Sequence, residues 1–172
     1  MPGRADRLAH AVRDHPVLVG PRSGHACADG AHSYLGDGRL VCWEVPTSEA
    51  EDDPVAGRAV DAELVRQRLP DRVGARWSRQ DAEPDAFWLQ WCATEVLAKL
   101  ADIPMVTLVH AGPVTASPVR LGPVEVHWVA HHLTDPGQAA SDGSPPRPEV
   151  NPGSGVVVVY GFAWAATTPA LT

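Results

Sequence analysis

Apolar residues recur along this chain in two rhythms, and the change between them falls near Pro104. Before it, spacings of three and four predominate. Val60, Leu64, Val65 and Leu69 line one side of the segment Pro54 to Leu69, with arginines opposite, which predicts a helix ended by Pro70. The stretch Asp85-Ala-Phe-Trp-Leu-Gln-Trp-Cys-Ala-Thr-Glu-Val-Leu-Ala-Lys-Leu100 predicts a second, longer helix over 85–101. Pro84-Asp85 suits its positive end, and it stops before Ile103-Pro104. After Pro104 the period shortens. Met105 to His110, Val124 to Leu133 and Val156 to Trp164 all read as strands, rich in β-branched and aromatic residues. An earlier strand, Arg39 to Val45, follows Gly36-Asp-Gly38 and is stopped by Pro46.

The segments between are legible mainly by their turn chemistry. Residues 1–38 form a poorly defined arm, with a short strand at Pro16 to Gly20 and a polar loop at Pro21 to Gly30. Thr47 to Asp53 is an acidic loop and Trp77 to Pro84 a connector. Residues 134–155 are dense in Pro, Gly and Ser; a loop of about 20 residues inside a domain is either functional or disordered. The order β-α-α-β-β-β, without regular βα alternation, predicts an α+β fold over 39–172, with an antiparallel sheet packed on the long helix.

Composition narrows the function. A length of 172 residues suits one domain, and 44% hydrophobic residues can build a core. A net charge of -7 argues against general affinity for nucleic acid or anionic lipid. No stretch approaches the roughly 18 apolar residues of a membrane span, nor is there the apolar segment of a signal peptide. Cys27, Cys42 and Cys92 are too few and too scattered for a disulfide framework, so a reduced, cytoplasmic chain is the simplest expectation. Lys99 is the only lysine, whereas Arg58, Arg66, Arg68, Arg72, Arg76 and Arg79 cluster, either as a solvated face or as a dock for an acidic carrier protein or a phosphate.

On the long helix, Trp88, Cys92, Glu95 and Lys99 share a face. A helix apolar nearly all round is largely buried, which puts Glu95 and Lys99 at a rim or in a cleft. Glu95 and Lys99 are then either an ordinary exposed pair, worth about 0.2–0.5 kcal/mol, or part of a site.

Here the chain resembles the 4′-phosphopantetheinyl transferases. Leu40-Val-Cys-Trp-Glu-Val is similar to that family's strand ending in Asp-x-Glu. Phe87-Trp-Leu-Gln-Trp-Cys-Ala-Thr-Glu-Val-Leu-Ala-Lys is similar to its helical signature, an aromatic followed by Trp-Ser/Ala/Thr-x-Lys-Glu-Ala/Ser-x-x-Lys. The resemblance spans roughly residues 39 to 165. It implies Mg²⁺ on Glu44 and Glu95, coenzyme A held by Lys99 with Arg76, and an acyl or peptidyl carrier protein as partner. The short type of the family is trimeric, with sites between subunits, which would make this chain a homo-oligomer. Two positions depart from the pattern. Cys42 replaces the first acid, and a thiol is a poor Mg²⁺ ligand; Thr94 replaces a lysine.

Those departures open a second reading, a repurposed scaffold. Glu44, Glu95 and Lys99, with His127 or His131, would then catalyse acid/base cyclisation or condensation of a small aromatic substrate in a natural-product pathway. His127 and His131 project to one face of their strand, either as polar side chains of an open sheet or as a general acid/base beside the long loop. The tryptophans are core or the lining of an aromatic pocket, and Cys42 and Cys92 are placed to approach where strand meets helix. His25, Cys27 and His32 offer soft metal ligands without a zinc spacing. A third reading is a non-catalytic partner protein, using the arginine face and aromatic surface.

Overall fold

The computed structural model describes residues 2–21, 27, 30–46, 53–65, 84–134 and 155–166. Its elements are α1 (Arg4–Asp14), β1 (Leu18–Gly20), β2 (Ala31–Tyr34), β3 (Leu40–Trp43), β4 (Gly57–Leu64), α2 (Pro84–Ala101), α3 (Met105–Ala111), β5 (Val119–Leu121), β6 (Val124–Thr134) and β7 (Gly155–Ala165). The protein is α+β, and both of its sheets are antiparallel: a three-stranded one ordered β1-β3-β2 and a four-stranded one ordered β4-β7-β6-β5.

The larger sheet is covered on both faces, and β7 shows how. Val156, Val158, Tyr160, Phe162 and Trp164 point toward α1 and the smaller sheet, among Leu8, Val12, Val41 and Trp43. Val157 and Val159 point the other way, toward Phe87, Trp88, Cys92 and Val96 of α2. Double coverage explains why Val156 to Trp164 is an unbroken apolar run rather than an alternation. The exception is Gly161, where α2 crosses: a Cβ there would stand 2.4 Å from Val96 Cγ1 and 2.9 Å from Leu100 Cδ1.

The same coverage corrects two expectations. The segment expected as a helix from Pro54 to Leu69 is strand β4 as far as Leu64, and residues 66–70 lie outside the described residues. Ala59 and Val65 pack toward α2, while Val60, Ala62 and Leu64 pack toward the smaller sheet. Apolar residues on both faces erase the period of two and leave spacings that imitate a helix. Conversely, Met105 to His110, expected as a strand, is α3. Pro104 stands at its N-terminal boundary, where a missing N–H costs nothing, and Leu108 packs beside Leu97 and Ala98 of α2. The weak β preference of Val106, Thr107 and Val109 yields to that packing.

α2 itself matches its expected span. It ends with Asp102 in the left-handed region (φ 53°), and the Ile103 N–H donates to the Ala98 carbonyl at 3.1 Å. That closure satisfies one of the helix's last carbonyls.

Residues 4–20, expected as part of an arm, are built into the fold. Leu8 and Val12, four apart, bury one face of α1. Arg4 ties that helix down: its guanidinium donates to both carboxylate oxygens of Asp53 (2.9 and 2.8 Å) and to Glu125 Oε1 (3.0 Å), and lies 5.4 Å from the centre of the Trp164 ring.

Cys27 and Cys42 form a disulfide, which overturns the expectation of unbridged cysteines and of a Cys42–Cys92 approach. Trp43 and Val41 point inward from β3, so Cys42 points outward, opposite Leu18 and His32, where Cys27 reaches it. Cys92 is a free, buried thiol on α2. The bridge also removes the basis for expecting a reduced chain. Among the described residues, no helix is long and apolar enough to cross a membrane. Replacing Cys27 with serine is expected to cost about 3 kcal/mol in urea unfolding, the loop-closure value for a 15-residue separation. Excess phosphine reductant should reproduce that loss in the wild type and leave the variant unchanged.

Candidate functional site

β4 is the outer strand of the larger sheet, and its free edge faces β2 while α2 packs across it. At that junction four polar side chains meet. Asp61 of β4 is only 2% exposed. Its Oδ1 accepts from the Ser33 hydroxyl of β2 at 2.7 Å and from Lys99 Nζ of α2 at 2.9 Å. Lys99 Nζ also donates to the Val60 carbonyl on the strand edge (3.2 Å) and lies 3.4 Å from Glu95 Oε1. Among the described residues, Asp61 Oδ2 is buried with no hydrogen-bond partner. The outer half of the cluster, Glu95 and Lys99, is about one-third exposed.

The charges are unequal in what they feel. Burial raises the Glu95 pKa above its ordinary 4.5, and the Asp61 carboxylate raises it further, against the opposing pull of Lys99. Burial works against the Lys99 charge, but the contact with Asp61 and then Glu95 outweigh it, so the ammonium is held more firmly than usual. The Cys92 thiol is pushed well up, first by burial and then by Asp61 and Glu63, so it stays protonated and is no nucleophile. Thr94 is buried and donates to the Gln90 carbonyl at 2.8 Å, a helix-internal role.

A raised Glu95 pKa has a definite sign. The folded state holds that proton more tightly than the unfolded one. Its contribution is therefore full below the unfolded value near 4.5 and is lost as pH rises through the folded one. Glu95→Gln, a neutral group at every pH, is expected to match the wild type in acid and to exceed it in stability at neutral pH. Urea melts at both pH values read this directly.

The expected metal pair is not assembled. Glu44 follows β3 in the smaller sheet, with Oε1 3.7 Å from Cys42 Sγ, whereas Glu95 sits on α2 across the larger sheet. Glu44 and Glu95 therefore do not fit one Mg²⁺ ion. The acid that meets Glu95 is Asp61.

The two strand histidines also lie away from it. His127 pairs with Phe162 and His131 with Val158, both facing α1 and the smaller sheet, so neither reaches Glu95 or Lys99. His127 Nε2 is 2.9 Å from Glu125 Oε1, and the Glu125 carboxyl is held below its usual range by His127 and then Arg4. His131 is exposed, with its ring edge on Tyr160 at 5.6 Å. Arg76, expected to hold cofactor, lies outside the described residues, as do Arg66, Arg68, Arg72, Arg79, Trp77 and His25. Trp43, Trp88 and Trp164 are core side chains; Trp43 stacks on Phe162 at 5.2 Å.

Asp61 escaped the sequence reading, and nothing there joined Ser33 to the Glu95–Lys99 pair. Asp61 and Glu63 interrupt the apolar series Ala59, Val60, Ala62, Leu64 and Val65, and Asp61 is the buried one. Read as a covered strand, that pattern flags a buried charge needing a partner; read as a helix, it places Asp61 on a wet face. Comparison with family models, with curated proteins and with solved structures found no match.

Proposed function

We propose that the Ser33–Asp61–Lys99–Glu95 cluster carries acid/base chemistry on a small organic molecule, in cyclisation or condensation. The observation that carries this reading is the buried Asp61 carboxylate, with Oδ1 holding Ser33 and Lys99 and Oδ2 unpartnered among the described residues, beside an acid of raised pKa. Perturbed titratable groups of this kind concentrate where proton transfer is done. Asp61 holds the Lys99 ammonium in place and keeps it charged. Lys99 is thereby set to stabilise an oxyanion, such as the enolate that precedes carbon–carbon bond formation. Glu95, at the exposed rim with its pKa moved toward neutrality, is the proton-transfer group.

Deuterium incorporation into β-dicarbonyl compounds in heavy water, followed by NMR, tests this. Exchange above the buffer rate, lost in Glu95→Gln and in Lys99→Met, supports the site. Exchange untouched by Glu95→Gln overturns it.

The transferase reading keeps two of its positions here, Glu95 and Lys99 on the same helical turn, 3.4 Å apart. It requires Mg²⁺-dependent coenzyme A binding without the Glu44–Glu95 pair. Calorimetry with coenzyme A, with and without Mg²⁺, decides it: tight, Mg²⁺-dependent binding would favour phosphopantetheine transfer to a carrier protein over the scaffold reading.

A further inference from the structure

The outward face of β3 gathers a second group of chemistry-bearing side chains. Cys42 stands on that strand, Glu44 follows two residues later, and Cys27 reaches both from the segment before β2. Their ligand atoms, two sulfurs and a carboxylate oxygen, all lie within 4.8 Å of one another. Glu44 Oε1 is 3.7 Å from Cys42 Sγ, and the Ala31 carbonyl oxygen is 3.7 Å from Cys27 Sγ. Gly30 closes over the group. A Cβ there would stand 2.6 Å from Cys27 Sγ and 3.0 Å from both Glu44 Cγ and the Trp43 carbonyl oxygen, so the chain approaches this closely only as glycine.

We propose that this group is a Zn²⁺ site that opens when the Cys27–Cys42 disulfide is reduced. A dithiol reductant supplies two electrons and two protons: the S–S bond breaks, both cysteines become thiols, and the reductant closes to its own disulfide. Zn²⁺ then displaces the two thiol protons and takes both thiolates together with the Glu44 carboxylate. The donor set selects the metal, since two thiolates and one carboxylate suit Zn²⁺ and do not suit Mg²⁺. The spacing agrees. Tetrahedral ligands at Zn–S and Zn–O lengths of about 2.3 and 2.1 Å stand about 3.6 Å apart. Cys42 Sγ and Glu44 Oε1 already stand 3.7 Å apart. Two thiolates and a carboxylate this close repel one another unless a cation lies between them. Three protein ligands leave the fourth position to water, and the exposed Glu44 marks the side of entry. His32, opposite Cys42 in the register, instead sets its ring against Tyr34 at 5.7 Å. Ser33 points to the other face of β2, so this site does not depend on the Asp61 cluster.

Zn²⁺ uptake by the full chain, read by competition with a metallochromic chelator, tests the proposal. A chain reduced by a phosphine and then freed of it should take up one Zn²⁺, and the oxidised chain none at the same concentrations. Co²⁺ in place of Zn²⁺ should give a near-ultraviolet thiolate-to-metal band in the reduced chain, lost when Cys27→Ser and Cys42→Ser are combined. Glu44→Gln, which keeps both cysteines, should keep the band. It should weaken Zn²⁺ by at least the roughly 10–100-fold that losing even an outer partner of a metal site costs. Zn²⁺ should also raise the urea midpoint of the reduced wild type and not that of the double variant, which separates a folded site from capture by an unfolded chain. No uptake by the reduced chain, equal uptake by the oxidised one, or a band that survives loss of both cysteines would overturn the assignment. So would unchanged affinity in Glu44→Gln or an unmoved urea midpoint.

Discussion

Lys99→Met is expected to lower the stability of the fold by about 3 kcal/mol, at the lower end of the range for breaking a buried ion pair, because Lys99 is one-third exposed. The loss arises at Asp61, which is 2% exposed and would lose its cationic partner while keeping the neutral Ser33 hydroxyl. A buried carboxylate left with one neutral donor is poorly compensated for its lost hydration. Asp61→Asn in the Lys99→Met background should recover most of the loss at neutral pH, since removing both charges leaves no orphan. Equal destabilisation of the single and double variants at neutral pH would show that Lys99 stabilises through its aliphatic stem rather than its charge.

The second large effect is expected at Gly161. An added methyl would stand 2.4 Å from Val96 Cγ1 and 2.9 Å from Leu100 Cδ1, both on α2 and both packed into the core. A branched valine methyl on a helix cannot swing aside, so the helix must lift from the sheet. Overpacking of this kind costs about 1–3 kcal/mol. Gly161→Ala should therefore shift the urea midpoint down without changing the slope, and Val96→Ala should partly rescue it by vacating the clash. Additive losses in the double variant would rule out the close crossing of α2 over β7.

The two effects share a cause. α2 is held on the larger sheet at one end by the absence of a side chain at Gly161 and at its rim by the Lys99–Asp61 contact. A candidate site built at that rim inherits the rigidity of the crossing. This is why the Glu95 and Lys99 side chains, though partly exposed, meet a fixed carboxylate.

Much of this was legible in the chain. The long helix, its proline entry and its end before Pro104 follow from local rules, as do β6, β7 and the strand at 40–43. Glu95 and Lys99 were recognisable as a pair because four residues on a helix return to one face. β4 and α3 were not legible, because their patterns depend on what covers them. A strand packed on both faces loses its alternation, and a short helix of β-branched residues is decided by its neighbours. The partners of Glu95 were hidden for the same reason: Asp61 lies 34 positions away on a strand that reads as helix, and Ser33 lies on a strand within the arm.

The sequence alone determined the α+β class, the apolar helix and the acid–base pair at its rim, all consequences of periodicity and local geometry. Tertiary structure alone decided which acid meets that pair. The covered sheet puts Glu44 on one side and Glu95 on the other, sets His127 and His131 with Glu44's side, and brings Asp61 across the β4 edge to Lys99. Register and coverage are long-range properties, fixed by packing free energy summed over both faces of the sheet rather than by any one segment.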